Sequence, residues 1–247
     1  MVLAWRWFIS IFFVVQNALA MLAIGIVFLP WAIISSRGAH TACKSYARWA
    51  IWTAKVLIGL KSEVRGTPPT DEVMLAAKHQ SFLDILVIFN AVPAAKFIMK
   101  RELLWTPIIG LYAYRLGCIP VNRGKRGQAI KKMIADVQSG AANPGQLVIY
   151  SQGTRVRPGE YKPYKIGTFA LYSQLGQACV PVATNAGLFW PKGTMLRKPG
   201  LAVVEFLDPI APGMAQAPFM AALEDRVESR SNALMQEAGF DAENRNA

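Results

Sequence analysis

The sequence has few of the residues that build disulfide frameworks and metal sites. Its three cysteines, Cys43, Cys118 and Cys179, are scattered and form no CxxC pair, which argues against both a disulfide framework and a zinc site. A reducing compartment is the simpler assumption. The two histidines are His40 and His79, and no carboxylate cluster accompanies either. We therefore expect no metal and no bound cofactor.

Two familiar catalytic signatures are also missing. The chain has no G-x-S-x-G elbow, which would present a serine nucleophile, and no GxxxxGK[ST] loop, which would cradle nucleotide phosphates. Serine-hydrolase chemistry and nucleotide binding therefore have no support in the sequence.

Acidic residues are outnumbered by basic ones. The chain has 27 Lys and Arg against 15 Asp and Glu, for a formal net charge of +12. A surface of this sign suits nucleic acid, anionic lipid or phosphorylated substrates. No interleaved aromatic RNA-binding motif is visible, and the N-terminus is strongly apolar. We therefore expect a lipid-bilayer partner and no nucleic acid.

Charged residues are absent between positions 7 and 36. The apolar run from Trp7 to Ile34 exceeds the ~20 residues that cross a bilayer, and it is too long for a signal peptide. Basic residues follow it and no acid appears before Glu63, so the positive-inside rule places the next domain on the cytoplasmic side of a membrane, here expected to be a bacterial inner membrane. Because Pro30 also permits a hairpin that dips into one leaflet, both a span and a dip remain open.

Composition divides the chain into three parts. Residues 1–60 form a membrane-associated helical segment, residues 61–240 a globular domain, and residues 241–247 a polar tail. Positions 39–60 predict a second helix with interleaved basic residues. This helix either lies on anionic lipid or packs on the domain with its lysines solvated.

The globular domain alternates short apolar runs with helical ones, which is typical of an α/β fold with a mixed, largely parallel sheet flanked by helices. The predicted strands cover 61–66, 73–78, 96–99, 118–121, 146–151, 179–184 and 201–206. The predicted helices cover 82–90, 107–115, 127–139, 166–176 and 215–238. Pro181 predicts that its strand lies at an edge or contains a bulge, because proline has no N–H for the ladder.

The segment Lys78–Asp84 joins a predicted buried strand to a helix. Ser81 and Asp84 fit a capping box, with Ser81 as N-cap and Asp84 at the third helical position. His79 then lies on the turn, where the loop can fold its ring toward the Asp84 carboxylate. Such a pair can take a proton from a hydroxyl. The same residues also fit a structural role, in which Asp84 only caps the helix and His79 only bonds a backbone carbonyl.

Two further predicted strands lead into loops that carry an arginine. Gly117–Arg126 is a strand followed by a basic, glycine-bearing loop and a helix, a setting that suits a phosphate, although a solvated basic turn has the same composition. Leu147–Arg155 is a buried strand followed by Gly153 and an arginine. Because ligands of open α/β sheets bind at strand carboxyl ends, we expect Arg123 and Arg155 to converge.

In this order, the motifs resemble those of the membrane-bound 1-acyl-glycerol-3-phosphate (lysophosphatidic acid) acyltransferases, over roughly residues 60–210. The four blocks of that family match His79–Asp84, Gly117–Arg123, Tyr150–Arg155 and Val180–Ala183. Two positions depart from the pattern, because Asn122 and Gln152 stand where the family usually carries Asp and Glu. The His79/Asp84 pair is intact, so we expect the chemistry to survive.

The resemblance implies roles for individual residues. His79 would act as general base on the 2-hydroxyl of lysophosphatidic acid, and Asp84 would orient its ring. The alkoxide would attack the thioester of the co-substrate, acyl-CoA or acyl carrier protein, without an acyl-enzyme. The implied substrate-binding residues are Lys100, Arg123, Gly153, Thr154 and Arg155. The implied structural neighbours of the site are Ser81, Gln152 and Pro181.

Two alternatives are compatible with the sequence. The acceptor could be another lyso-lipid, such as a lyso-ornithine lipid or a lysophospholipid. A non-enzymatic basic membrane-binding protein would explain the charge and the apolar segment, but it would need neither His79 nor Asp84.

Overall fold

A computed structural model describes residues 2–121 and 145–240. Its strands are β1 Leu60–Arg65, β2 Met74–Ala77, β3 Ala95–Lys100, β4 Ile119–Val121, β5 Gln146–Tyr150, β6 Cys179–Thr184 and β7 Gly200–Phe206. Its α-helices are α1 Val2–Val27, α2 Leu29–Ile34, α3 Ser36–Thr53, α4 Leu83–Ala91, α5 Ile109–Arg115, α6 Gly167–Leu175 and α7 Gln216–Glu237. The predicted helix 127–139 and the tail 241–247 lie outside the described residues.

The described strands form one seven-stranded sheet in the order β1-β7-β6-β2-β5-β3-β4. The pairs within it are parallel except for β6 with β7. The predicted mixed, largely parallel sheet is therefore confirmed. Because β2, β5, β3 and β4 run in the same direction, the loops that follow them leave from one edge of the sheet.

Helices cover both faces of the sheet. On one face α4 buries Leu83, Leu86 and Ile88, and on the other α7 buries Phe219 and Leu223. The central strand β2 is buried along its whole length, as expected for a parallel strand between two helical layers. The turn that follows β2 is thus held from both sides.

The expectation that Pro181 marks an edge or a bulge was wrong about the edge. Strand β6 lies inside the sheet between β2 and β7, and Pro181 is paired with Ala76 of β2. The ladder between β6 and β7 covers only Val182 to Thr184. Proline is tolerated here because its missing N–H lies beside the point where β7 ends.

The N-terminal helices pack against the domain along their length. The Ser10 hydroxyl accepts a hydrogen bond from the Arg197 N–H at 3.0 Å, and the ring of Phe13 meets Trp190 edge-on at 5.2 Å. Further along α1, the Tyr112 hydroxyl donates to the Gly25 carbonyl at 2.8 Å. Helix α1 therefore lies on the domain and does not project away from it.

The predicted second helix begins three residues early, at Ser36, and ends in a π-helical turn, Ala54–Ile58. The packing of this helix on the rest of the protein is confirmed, whereas its contact with lipid stays a prediction. Its small residues, among them Ala39 and Ala42, are buried against the protein, whereas Trp49 and Trp52 are exposed.

Candidate active site

His79 lies on the turn between β2 and α4, as the sequence predicts. Its Nδ1 is 3.0 Å from Asp84 Oδ1. An ionised carboxylate only accepts hydrogen bonds, so Nδ1 carries the hydrogen and Nε2 keeps its lone pair. The Asp84 side chain is fully buried, and 13% of the His79 side chain is exposed. The pair therefore presents a proton acceptor at the surface of a site whose carboxylate is sealed from solvent.

The Asp84 carboxylate receives hydrogen bonds from three further groups. Its Oδ2 accepts from the backbone N–H groups of Gln80 at 2.9 Å and Ser81 at 2.7 Å, and its Oδ1 accepts from the Tyr150 hydroxyl at 3.2 Å. A buried charge is tolerated when it is hydrogen-bonded in this way. Asp84 therefore fixes both the ring of His79 and the backbone of the turn.

Tyr150, the last residue of β5, forms a second support for His79. The two rings are stacked, with centroids 3.8 Å apart and planes inclined by 17°. Burial, followed by the neighbouring Asp84 carboxylate, raises the pKa of Tyr150 well above its usual range. The hydroxyl therefore stays protonated and continues to donate to Asp84. Tyr150 begins the third block of the family resemblance, but the sequence assigned it no role beside His79.

The hydrogen bonds of the predicted capping box are present, because the Ser81 N–H donates to Asp84 Oδ2 and the Leu83 N–H donates to the Ser81 hydroxyl, although the helix begins one residue later than predicted. Helix α4 begins at Leu83 with Phe82 as N-cap, so Asp84 occupies the second helical position and not the third. Ser81 still bonds the helix start, because its hydroxyl accepts from the Leu83 N–H at 3.1 Å and donates to the Trp190 carbonyl at 2.7 Å. The Asp84 carboxylate extends back toward the turn before the helix, where it accepts hydrogen bonds from the N–H groups of Gln80 and Ser81.

The loop after β5 is bonded to the His79 turn. The Val156 N–H donates to the His79 carbonyl at 2.8 Å, which brings the preceding residue, the exposed Arg155, beside the turn. Gly153 has a φ of +70°, a conformation that other residues rarely adopt, so the glycine permits this loop to fold back. Thr154 is half-buried between Gly153 and Arg155.

The other predicted site residues fall at different distances from His79. Lys100 ends β3, two strands from β2 and so about 10 Å away at the usual strand spacing; its ammonium is 3.5 Å from a Glu102 carboxylate oxygen. Pro181 is paired with Ala76 of β2, three residues before His79. Arg123 and Asn122 lie outside the described residues, so the predicted convergence of the two arginines stays a prediction.

A buried ion pair next to His79 has no counterpart in the sequence motifs. The Lys78 ammonium lies 2.5 Å and 2.7 Å from the two carboxylate oxygens of Glu228 on α7. Gln152, predicted as a structural neighbour, also reaches Glu228, with its amide nitrogen 3.4 Å from Oε1. The pair joins residues far apart in the chain, which no local pattern can reveal.

Comparison with known proteins gives three findings. A family model described as Acyltransferase matches residues 61–185. A 1-acyl-sn-glycerol-3-phosphate acyltransferase of Pseudomonas aeruginosa is 29% identical over 159 residues, which cover 64% of this chain and 62% of that protein. The mouse 1-acyl-sn-glycerol-3-phosphate acyltransferase alpha is 28% identical over 215 residues, covering 85% of this chain and 75% of the mouse protein.

Among solved structures, the fold is similar to that of the 1-acyl-sn-glycerophosphate (LPA) acyltransferase PlsC from Thermotoga maritima. The TM-score is 0.76 at 18% sequence identity, over 93% of this chain and 97% of that one. This likeness supports the α/β architecture expected from the sequence, including the helices before β1.

Proposed function

Because the chain belongs to the acyltransferase family, we propose that it transfers a fatty acyl chain from a thioester donor to the 2-hydroxyl of lysophosphatidic acid, which yields phosphatidic acid. The observation that carries this proposal is the His79/Asp84 pair, with one ring nitrogen bound to a buried carboxylate and the other free to accept a proton. A membrane-binding protein without activity has no use for this arrangement.

In the proposed reaction, His79 Nε2 takes the proton of the acceptor hydroxyl as its oxygen attacks the thioester carbonyl. Asp84 stabilises the imidazolium that forms and keeps the ring in place, as in other His/Asp pairs. The new C–O bond forms, the C–S bond breaks, and the imidazolium returns the proton to the departing thiolate. The donor is acyl-CoA or acyl carrier protein.

We assign the acceptor's phosphate to Arg155 and, on the strength of the sequence motif, to Arg123. Arg155 is exposed and lies beside the His79 turn. A guanidinium binds phosphate oxygens through two parallel N–H groups, whereas a lysine at the same position keeps the charge and loses the fork. A phosphate on the glycerol carbon next to the one that bears the reacting hydroxyl thus sets the acceptor's orientation.

The chain also has the surface of a membrane-bound protein. Helix α1 is long and apolar enough to cross a bilayer, and it exposes a set of large apolar side chains: Leu3, Trp5, Phe8, Phe12, Leu19 and Val27. A second exposed group, Leu103, Trp105 and Tyr114, lies near the α5 segment that packs on α1. Because α1 touches the domain from Ser10 to Gly25, we propose that it lies within one leaflet, on the cytoplasmic side of a bacterial inner membrane.

The acceptor assignment is tested by kinetics on the purified full-length protein with one acyl-CoA. We expect lysophosphatidic acid to be acylated in clear preference to monoacylglycerol, which has the hydroxyl and lacks the phosphate. Arg155→Ala should raise the KM for the lyso-lipid roughly ten- to a hundredfold, the effect of losing a charged hydrogen-bonding partner, and Arg155→Lys should recover part of this loss.

Arg157→Ala is the matched control, because Arg157 is an exposed arginine of the same loop. Its KM should stay within about twofold of the parent, the usual range for surface substitutions. Faster turnover of a lyso-ornithine lipid or a zwitterionic lysophospholipid than of lysophosphatidic acid would overturn the phosphate assignment and leave the acyl transfer standing.

A further inference from the structure

The Lys78 side chain is charged, almost wholly buried and directly adjacent to the proposed base. Only 2% of it is exposed, and its ammonium meets both carboxylate oxygens of Glu228. The two residues are separated by 150 positions in the chain. Burying an ion pair costs a large desolvation penalty, and buried pairs are often no more stabilising than apolar residues of the same size. Stability alone therefore gives a weak reason for this pair.

Glu228 is also hydrogen-bonded to the loop after β5, which carries Arg155. Its Oε1 accepts from the Tyr164 hydroxyl at 2.9 Å and lies 3.4 Å from the amide nitrogen of Gln152. The same amide nitrogen donates to the Lys162 carbonyl at 3.0 Å. One carboxylate on α7 thus holds the residue before His79 and both ends of the loop that carries Arg155.

Adjacent residues of the turn are held from opposite sides. The His79 ring is fixed by Asp84 of α4, and the preceding Lys78 is fixed by Glu228 of α7. A displacement of about 1 Å in a catalytic group can cost roughly a hundredfold in rate. Two anchors on opposite faces of the sheet oppose such a shift more effectively than one.

We propose that Glu228 is a positioning residue for acyl transfer. Its carboxylate ties the His79 turn to the Arg155 loop, so that the base and the phosphate-binding arginine keep a fixed separation. This inference rests on the proposed function. It also gives a role to Gln152, at the position where the resemblance implies a glutamate: in this chain the carboxylate beside the Lys78 ammonium comes from α7, and the Gln152 amide bonds to it.

The test moves the carboxylate between the two positions. In full-length protein in detergent micelles, Glu228→Gln should lower kcat roughly ten- to a hundredfold and leave the KM for both substrates within about twofold. Gln152→Glu in the Glu228→Gln background should recover at least a third of the parent kcat, because the carboxylate returns to the Lys78 ammonium from the loop. A loss of packing alone would not be reversed by a second substitution.

Glu237→Gln is the matched control. Glu237 lies on the same helix and pairs with Arg65 and Arg230 at the exposed end, so its kcat should stay within about twofold of the parent. Thermal unfolding and size-exclusion profiles establish which variants are folded. If Glu228→Gln fails to fold, Tyr164→Phe removes one donor to the same carboxylate and should lower kcat about two- to fivefold at unchanged KM.

Three results would overturn the positioning role: a Glu228→Gln variant as active as Glu237→Gln, a rise in KM in place of a fall in kcat, or a double variant no better than Glu228→Gln. The failure of the proposed function looks different. In that case the parent protein would not acylate lysophosphatidic acid, and the same series would be measured on whichever lyso-lipid it does acylate.

Discussion

Helices α1 and α4 are both strongly apolar, yet the fold uses them in opposite ways. In α4, Leu83 is fully buried and Phe89 is 6% exposed, whereas in α1 Leu3 and Leu19 are 63% and 62% exposed. Helix α4 buries its side chains against the sheet and α3. Helix α1 buries only one stripe, which includes Phe13, and leaves large apolar side chains such as Phe12 and Val27 exposed.

The difference separates two requirements of the proposed reaction. The base must be held still, and α4 does this because its packing fixes Asp84, the acid in its first turn. The substrate and product are lipids, and an exposed apolar helix lowers its free energy by entering the bilayer. Apolar content alone does not distinguish these uses, since burial depends on what packs against the helix.

The largest effect is expected for the base held by α4. His79→Ala should lower kcat about 10²–10⁴-fold, the usual contribution of general-base catalysis, while binding to vesicles stays unchanged. His40→Ala provides the control, because His40 is the second histidine and packs on Phe89. Turnover by His79→Ala close to that of His40→Ala would end the assignment.

Asp84→Asn tests whether the buried helix α4 supports catalysis through the carboxylate of Asp84. The amide cannot serve as an anionic acceptor for His79 Nδ1–H, Gln80 N–H and Ser81 N–H together, so the ring loses its fixed tautomer. We expect kcat to fall about a hundredfold, with the KM values little changed. Circular dichroism and melting curves should show a folded protein, and a kcat within threefold of the parent would contradict the orienting role.

The exposed face of α1 is tested by adding charge to it. Phe8→Asp with Leu19→Asp should strongly reduce flotation with vesicles of anionic and zwitterionic lipid, because an aspartate within the bilayer costs roughly 2.5–3.5 kcal/mol. Ile166→Asp, at an exposed apolar position of the α/β domain, should float like the parent. Because hydrophobic contact is not screened by salt, 1 M NaCl (a concentration at which the Debye length is about 3 Å) should not release the parent, and release would contradict this surface.

The smallest effect is expected for Tyr150→Phe, which keeps the ring stacked on His79 and removes the hydrogen bond to Asp84. A single hydrogen bond to a charged group contributes about 1.5–3 kcal/mol when fully formed, and the 3.2 Å contact is long, so we expect a kcat about two- to tenfold lower. The raised pKa of Tyr150 keeps the hydroxyl protonated. The ratio of the parent kcat to the Tyr150→Phe kcat should therefore stay constant up to pH 10, the usual pKa of tyrosine. A ratio that changes toward pH 10 would show that Tyr150 ionises.

Much of the fold was predictable because its signals are local. Each described strand lies within about two residues of its predicted position, since short apolar runs between turns mark parallel strands that are buried on both faces. The His79/Asp84 contact was expected because the turn lets the ring fold toward the carboxylate, and the family resemblance favoured it over a purely structural role for the two residues. The pairing of Ser81 with Asp84 was predictable too, because both lie within four residues of one another, and only the first residue of α4 differs from the prediction.

The sequence by itself therefore determined the succession of strands and helices along the chain, the apolar N-terminus and the His79/Asp84 pair that performs the proposed chemistry. The tertiary structure alone decided which residues support that pair: Tyr150 from β5, the Trp190 carbonyl and Glu228 from α7. It also decided that Pro181 lies inside the sheet, and that α1 rests along the domain. The physical reason is that these contacts depend on which segments the sheet brings side by side, and a side chain carries no record of a partner 66 or 150 positions away.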